Sequence, residues 1–160
     1  MSDAESDGEP ITQEGVSALE AKLEELEGPR RRELAERIKT ARELGDLKEN
    51  AEYHIAKDDQ AHLETKIRRL RERLRNAVVV ETAIDSETFS FGRTAEVTDE
   101  ATGKTHRWTL VGQAEAEPAL GRLSVESPVG AAMRDRRVAE TVAIDTPSGE
   151  RRYRIHRIVE

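Results

Sequence analysis

Two runs of aliphatic residues with helical spacing constrain the fold of this sequence more than any other feature. The first run ends at Ala41 and the second begins at Ile55, and in both the aliphatic residues recur mainly at steps of three and four, as in a coiled coil. In an antiparallel hairpin the residue numbers of facing partners have a constant sum. That sum is 93 for five pairs: Val16 with Ala77, Leu19 with Leu74, Leu23 with Leu70, Leu26 with Ile67, and Ile38 with Ile55. We therefore predict an antiparallel helical hairpin with its turn at Asp46–Leu47 and arms of about 30 residues, or roughly 45 Å.

Gly28 and Pro29 interrupt the first helical run. A proline inside a helix costs about 3 kcal/mol because it lacks the N–H group and its ring collides with the preceding turn. We therefore expect a kink or short break near Pro29. The constant sum holds on both sides of this residue, so the break need not shift the register. Thr12 is the predicted N-cap of the first helix.

The sequence changes character on either side of the hairpin. Residues 1–11 are mostly acidic and polar and have almost nothing to bury, which predicts a disordered tail. After residue 78, short β-branched runs alternate with turn residues, and the glycines within 100–105 and 146–151 suit hairpin loops. The predicted fold class is α+β. It comprises the tail at 1–11, the coiled-coil hairpin at 12–78 with its tip near 45–50, and a small, mainly antiparallel β domain at 79–160 with a short helix at 129–136 and Trp108 in its core.

Composition excludes several classes of protein. The chain has a net charge of -7, which argues against a general nucleic-acid binder, and it has no cysteine for disulfides, thiolate metal sites or a nucleophile. Its four histidines are too scattered for their spacing to indicate a zinc site. No run approaches the roughly 18–20 apolar residues of a membrane span, and the first residues do not resemble a signal peptide. We expect a cytoplasmic protein that does not contact a membrane.

The tip sequence ELGDLKENAEYH, residues 43–54, allows two interpretations of its carboxylates. In the first, Gly45 ends one helix, Asp46 caps the next, and Glu49 completes a capping box. In the second, Asp46 and Glu49 complete a Mg²⁺ site that a partner half-builds, because Mg²⁺ is commonly held by one or two carboxylates together with water and phosphate. Both can be true at once, since a carboxylate can cap through one oxygen and bind metal through the other.

Three neighbours of the tip are further candidates. Tyr53 lies four residues after Glu49 on the same helical face, where its ring could stack on a nucleotide base or support the tip. Arg42 and Lys57 flank the tip and either steer phosphate or are ordinary solvated charges. The basic segment 66–75 is likewise either a phosphate contact or the solvated face of the arm.

The tip string GDLKENAEYHIAKDDQ, residues 45–60, resembles the coiled-coil tip of the bacterial GreA/GreB transcript-cleavage factors, and this match is highly specific. Weaker similarities follow in the order of that family: TQEGVSALEAKLEEL, FGRT, TLVG, GRLSVESPVGAAM and TPSGERRYRI. The resemblance covers nearly everything after residue 11 and is greater to the GreA branch. The acidic tail, the Gly28–Pro29 break and the segment 99–108 depart from the family pattern.

This resemblance implies a transcription factor that acts on bacterial RNA polymerase. The C-terminal domain would be FKBP-like and would dock at the rim of the polymerase's secondary channel, with Ser127 and Pro128 in the docking loop. The coiled coil would enter the channel and stimulate the polymerase's own Mg²⁺-dependent cleavage of backtracked RNA. The protein would then be a monomeric accessory factor rather than an enzyme, with no cofactor bound on its own.

The resemblance also assigns roles at the tip. Asp46 and Glu49 match the carboxylates that share Mg²⁺ with the polymerase and position a water molecule, and Tyr53 matches an aromatic residue of the same site. Arg42 and Lys57 match a basic patch that contacts the RNA 3′ segment. Two other functions remain as alternatives: a regulator of initiation or elongation that occupies the channel without promoting cleavage, and a structural coiled coil that self-associates.

Overall fold

The computed structural model describes residues 8–46, 49–81 and 85–159 and divides into two compact units. One unit comprises Met1–Val16 and Ala77–Glu160, and the other is Ser17–Asn76. In the described residues no helix is both long and apolar enough to cross a lipid bilayer. The predicted α+β fold class is confirmed: a long helical hairpin precedes a mainly antiparallel sheet domain.

The hairpin consists of helices joined end to end on one side and a single long helix on the other. Helix α1 (Gln13–Glu25) runs through a π-helical turn (Leu26–Arg30) into α2 (Arg31–Glu43), and α3 (Ala51–Asn76) returns. The π-helical turn contains Pro29, so the regular α-helix is interrupted at the predicted place, but by a π-helical turn and not by a break in the helix. Leu34 lies eight positions after Leu26, one more than a heptad, and a π-helical turn takes up such an extra residue without ending the helix.

Cross-helix ion pairs confirm that the hairpin is antiparallel. Arg31 Nε lies 2.9 Å from Glu64 Oε1, and a second contact of 2.9 Å makes this pair bidentate. The other two pairs, Arg37 with Asp59 and Arg71 with Glu27, are also at 2.9 Å. The residue numbers of these pairs add to 95, 96 and 98 rather than 93. These largely exposed pairs stabilise the fold only modestly. Because long side chains reach residues that are not directly opposite, the pairs establish the antiparallel direction of the helices and not their register.

The predicted pairing of Ile38 with Ile55 is wrong. Ile55 is 55% exposed, whereas its neighbour Ala56 is 1% exposed. Ala56 lies one heptad before Leu63, which is 6% exposed, so the buried face of α3 passes through Ala56 and turns Ile55 outward. The packed centre of the hairpin lies further from the tip and contains Leu34, Leu63 and Ile67 with the partly buried Leu23 and Leu26.

The other unit begins with a strand that the sequence did not predict. Strand β1 (Glu9–Ile11) pairs in parallel with β2 (Ala77–Val79), which follows α3 directly. Ile11 is 1% exposed. The predicted disordered tail at 1–11 is therefore wrong for residues 9–11, because a long-range strand pair and a buried isoleucine hold them; residues 1–7 lie outside the described part of the chain.

A five-stranded sheet forms most of this unit. Its strands are β4 (Thr94–Asp99), β5 (Thr105–Val111), β6 (Arg122–Ser124), β8 (Thr141–Thr146) and β9 (Gly149–Ile158). Their order across the sheet is β6-β5-β4-β9-β8. All neighbouring strands are antiparallel except β5 and β6. Two short strands, β3 (Thr88–Phe89) and β7 (Arg136–Arg137), form a separate antiparallel pair. Gly103 and Gly149 have φ angles of 72° and 113°, as the predicted hairpin loops require.

The core of the sheet domain is aromatic and aliphatic. Phe89, Leu110, Met133 and Ile155 have no measurable exposure, and Trp108 packs against this cluster as predicted. Helix α4 (Pro128–Met133) covers part of the core. It ends earlier than the predicted 129–136, because Asp135 takes a φ of 64° and the chain then enters β7.

A carboxylate clasp attaches the start of α1 to the sheet domain. Glu115, in the 3₁₀ turn Gln113–Glu115, accepts hydrogen bonds from the N–H groups of Thr12 at 3.0 Å and Gly112 at 3.1 Å and from the Thr12 hydroxyl. The Thr12 hydroxyl oxygen in turn accepts the Gly15 N–H at 3.0 Å, which confirms the predicted N-cap. Glu115 lies where a side chain at Gly15 would project, so the clasp requires glycine there.

Candidate functional site

The first helix of the tip ends as the sequence predicts. The N–H group of Leu44 donates to Ala41 O at 3.1 Å, and that of Gly45 donates to Arg42 O at 3.4 Å. Gly45 has a φ of 116°, a conformation that glycine adopts without steric cost. The chain therefore turns away from the helical path at Gly45, two residues after the last residue of α2, and Asp46 follows directly.

The second helix of the tip begins at a residue that sequence analysis missed. Asn50 Oδ1 accepts the Tyr53 N–H at 3.1 Å, which is the N-cap interaction of α3. Its Nδ2 donates to Ala41 O at 2.6 Å, so one side chain caps α3 and joins it to the end of α2. The predicted capping box of Asp46 and Glu49 is wrong, because the helix begins later. Asparagine caps helices as well as aspartate does, so the sequence contained this signal.

The tip carboxylates are on the surface. Asp46 and Glu49 are both exposed, and Glu52 in the first turn of α3 is exposed as well. They flank residues 47–48, which lie outside the described residues together with part of the predicted turn at Asp46–Leu47. Since Asn50 provides the cap of α3, Asp46 and Glu49 are not needed to start that helix.

Two of the other predicted tip residues lie against each other. The Arg42 guanidinium carbon is 5.9 Å from the centroid of the Tyr53 ring, a cation–π contact that joins α2 to α3. The His54 ring meets the Tyr53 ring edge-on at 5.6 Å between centroids. Tyr53 is half-buried and Arg42 is exposed. Lys57 is also exposed, and its Nζ donates to Gln60 Oε1 at 3.2 Å.

The metal-binding capacity of the tip is small. Among residues 8–46, 49–81 and 85–159, no group of three or more His, Asp or Glu side chains could hold a metal ion. Asp46 and Glu49 contribute two carboxylates, a number that suits Mg²⁺ when water and substrate phosphate complete the coordination. The donor set therefore fits a metal shared with another molecule and not one enclosed by this chain.

Ser127 and Pro128, predicted from the family resemblance to dock a partner, lie at the start of α4. Ser127 Oγ accepts the Gly130 N–H at 3.1 Å and donates to Ser124 O at 2.6 Å, so this residue is the N-cap of α4. Pro128 occupies the first helical position and is exposed. The same two residues thus shape the loop and lie at the surface of the sheet domain.

Comparison with known proteins identifies the class of this chain. Residues 9–79 match the family described as "Transcription elongation factor, N-terminal", and residues 84–160 match "Transcription elongation factor, GreA/GreB, C-term". The chain therefore belongs to the GreA/GreB family of transcription elongation factors, and the resemblance seen at the tip sequence is confirmed.

Relatives cover nearly the whole chain. It is 44% identical to the transcription elongation factor GreA of Bacillus cytotoxicus over 91% of this chain and 93% of that protein. It is 42% identical to GreA of Geobacillus kaustophilus over 88% of this chain and 90% of that protein. Among solved structures it is similar to GreA factor homolog 1 of Thermus thermophilus, with 27% identity, 96% of this chain and 99% of that chain covered, and a TM-score of 0.43.

Proposed function

We propose that this protein binds bacterial RNA polymerase, enters its secondary channel with the tip of the helical hairpin, and stimulates the polymerase's Mg²⁺-dependent cleavage of backtracked RNA. It acts as an accessory factor, because its own carboxylates provide only part of a metal site. Membership of the GreA/GreB elongation-factor family supports the proposal at the level of the whole chain.

The observation that carries this proposal is the hydrogen bonding of Asn50. Asn50 is the N-cap of α3 and bonds the end of α2, so neither Asp46 nor Glu49 is the N-cap of that helix. Both carboxylates are exposed next to the turn of the hairpin, where they can reach a metal ion that another molecule holds. Two carboxylates are the number that Mg²⁺ commonly takes from a protein when water and phosphate complete its coordination.

The chemistry is hydrolysis of a phosphodiester. Mg²⁺ bound in the complex would lower the pKa of a water ligand and stabilise charge on the phosphate. Asp46 and Glu49 accept hydrogen bonds from the attacking water and orient its oxygen toward phosphorus. The new oxygen–phosphorus bond forms as the bond from phosphorus to the 3′ oxygen of the upstream nucleotide breaks, which releases the 3′ fragment of the RNA. The attacking water loses a proton to solvent, and the leaving 3′ oxygen takes one up to become a hydroxyl.

The neighbouring side chains position the RNA in this proposal. Tyr53 offers an aromatic surface for a splayed base, and the Arg42 guanidinium beside its ring orients that surface and attracts phosphate. Lys57, one turn further along α3, adds a second cation for the RNA 3′ segment. Ser127 and Pro128 form part of the surface that docks at the channel rim, where Ser127 keeps the loop in shape through its cap of α4.

The test uses stalled, backtracked elongation complexes with 3′-labelled RNA. Wild-type protein with Mg²⁺ is expected to release short 3′ fragments, and the double variant Asp46→Asn with Glu49→Gln is expected to release them no faster than polymerase alone. A matched double variant, Asp58→Asn with Glu72→Gln, makes the same chemical changes at exposed positions of α3 and is expected to retain cleavage.

Binding measurements on the same samples separate the alternatives. Polymerase affinity of the tip double variant is expected to stay within about twofold of wild type, because two surface carboxylates contribute little to a large interface. Equal cleavage by wild type and the tip variant would refute the proposal. Inhibition without cleavage that survives the tip substitutions would indicate a channel-occupying regulator. Concentration-dependent oligomers without polymerase binding would indicate a structural coiled coil.

A further inference from the structure

A groove lies between α2 and α3 near the tip, on the surface of the hairpin. Its volume is about 350 Å³, at the lower end of the range for pockets that bind ligands. Ala41 and Ala56 line it and are themselves 3% and 1% exposed. Both helices place alanine at this level of their interface, and these two side chains form a narrow, nearly closed apolar floor of the groove.

The wall of this groove includes an exposed apolar side chain. Leu44, the residue after α2, lines the groove and is 69% exposed. In the described part of the chain only four large apolar side chains are exposed, and two of them, Leu44 and Ile55, lie near the tip. Leu44 therefore gives the groove one exposed apolar wall.

The rim of the groove is acidic. Glu33, Glu36 and Glu52 line it together with one cation, Arg37. Arg37 is held by Asp59 at 2.9 Å, while Glu33 pairs with Arg30 at 2.8 Å. Over the residues that the structure describes, Glu36 and Glu52 take part in no ion pair.

The charge and the shape of the groove together indicate which kind of group it can bind. The acidic rim repels nucleic-acid phosphates, and the described carboxylates do not form a metal-binding cluster. An arginine or lysine side chain suits both features, because its aliphatic stem covers apolar surface while its charged end stays at the rim. Here the stem would lie against Leu44, which is the exposed apolar wall of the groove, and the charge would meet Glu36 and Glu52.

We propose that this groove binds an arginine or lysine side chain of the channel wall of RNA polymerase, and so fixes the depth and rotation of the hairpin in the channel. This inference rests on the proposed function for the identity of the partner protein. It adds a docking contact on the hairpin, separate from the carboxylates Asp46 and Glu49 and from the loop at Ser127 and Pro128.

Charge reversal on the groove rim tests the contact. We expect Glu36→Arg to raise the Kd for RNA polymerase by about 5–10-fold, because a like charge replaces a salt-bridge partner at an interface. Glu24→Arg makes the same change at an exposed position of α1 and is expected to change the Kd less than about twofold. Equal helix content by circular dichroism shows that both variants fold.

Photo-crosslinking identifies the occupant. A benzophenone amino acid at the exposed groove residue Thr40 is expected to crosslink to a polymerase peptide that contains arginine or lysine, whereas the same probe at exposed Ala21 on α1 is not expected to crosslink to that peptide. Crosslinks from Thr40 only to RNA, to a second copy of this protein, or to a peptide without a basic residue would overturn the inference.

The outcomes distinguish this inference from the proposed function. If Glu36→Arg binds as tightly as Glu24→Arg while wild type stimulates cleavage, the groove contact is refuted and the proposed function stands. If Glu36→Arg binds more weakly but wild type never stimulates cleavage, the groove contact stands and the cleavage function is refuted. If wild type does not bind polymerase at all, both are refuted.

Discussion

Removal of the Glu115 carboxylate is expected to destabilise the sheet domain by about 2–4 kcal/mol. Glu115→Ala leaves the N–H groups of Thr12 and Gly112 without an acceptor, and both residues are buried. An unsatisfied buried donor costs about 1–3 kcal/mol. Two such donors give about 2–6 kcal/mol. We take the lower part of that range because Glu115 is half-buried, so water can partly replace its carboxylate as the acceptor.

Urea denaturation followed by tryptophan fluorescence measures this effect. Trp108 is the single tryptophan and packs against the core of the sheet domain, so its emission reports that unit. The matched control is Glu117→Ala, two residues further along the same loop, where the side chain is exposed and makes no cap hydrogen bond. The control is expected to change the free energy of unfolding by less than about 0.5 kcal/mol. A Glu115→Ala effect no larger than that of the control would refute this account of the clasp.

A double-mutant cycle isolates the contact further. A Cβ at Gly15 would overlap the Glu115 side chain, which cannot move away without breaking its hydrogen bonds. Gly15→Ala is therefore expected to destabilise wild type but to have little effect, or a stabilising one, in the Glu115→Ala background. Additive effects of the two substitutions would contradict the geometry described for the clasp.

Two further predictions concern the tip and the sheet. Asn50→Ala is expected to lower the free energy of unfolding by at least about 1 kcal/mol, because α3 loses its N-cap and Ala41 O loses its amide donor. Asn50→Asp retains the cap but not the donor to Ala41 O, so in thermal melts it is expected to recover only part of this loss. In the sheet, hydrogen bonds from Arg157 hold the pKa of Glu96 below its usual value. The ion pair therefore stabilises the folded protein fully above about pH 4.3, the pKa of a glutamate in the unfolded chain. This stabilisation is lost as pH falls through the lower pKa that Glu96 has in the folded protein. The Tm difference between wild type and Glu96→Gln should shrink on acidification from pH 6 to about 3, and a difference that grows would contradict this assignment.

The sequence predicted the elements whose signal is local and periodic. The hairpin followed from the spacing of its aliphatic residues, and the cost of proline in a helix predicted an irregularity at Pro29, although not that it would be a π-helical turn. The register near the tip was predicted wrongly, because Ile55 is more apolar than Ala56 and the pairing rule favoured it. Alanine is a weak indicator of a buried position because it occurs on both buried and exposed faces of helices. The heptad spacing from Leu63 would nevertheless have identified Ala56 as buried.

The sequence patterns did not predict the long-range contacts. Strand β1 contains three residues and pairs with a segment 68 residues away, so its formation depends on the folded hairpin and sheet rather than on local propensity. The Glu115 clasp joins residues 103 positions apart, and nothing in the local sequence around Glu115 marks it as a helix anchor. At the tip, the chemistry of Asp46 and Glu49 was visible in the sequence, while the role of Asn50 became clear only from its hydrogen bonds.

The Mg²⁺ dependence of RNA cleavage at a saturating concentration of this protein tests the central claim most directly. If Asp46 and Glu49 provide ligands or orient the metal-bound water, wild type should lower the Mg²⁺ concentration needed for half-maximal cleavage relative to polymerase alone. Each single variant, Asp46→Asn or Glu49→Gln, should raise that concentration, and the double variant should match polymerase alone. The same Mg²⁺ curve for wild type and the double variant, with both bound to the polymerase, would contradict the account.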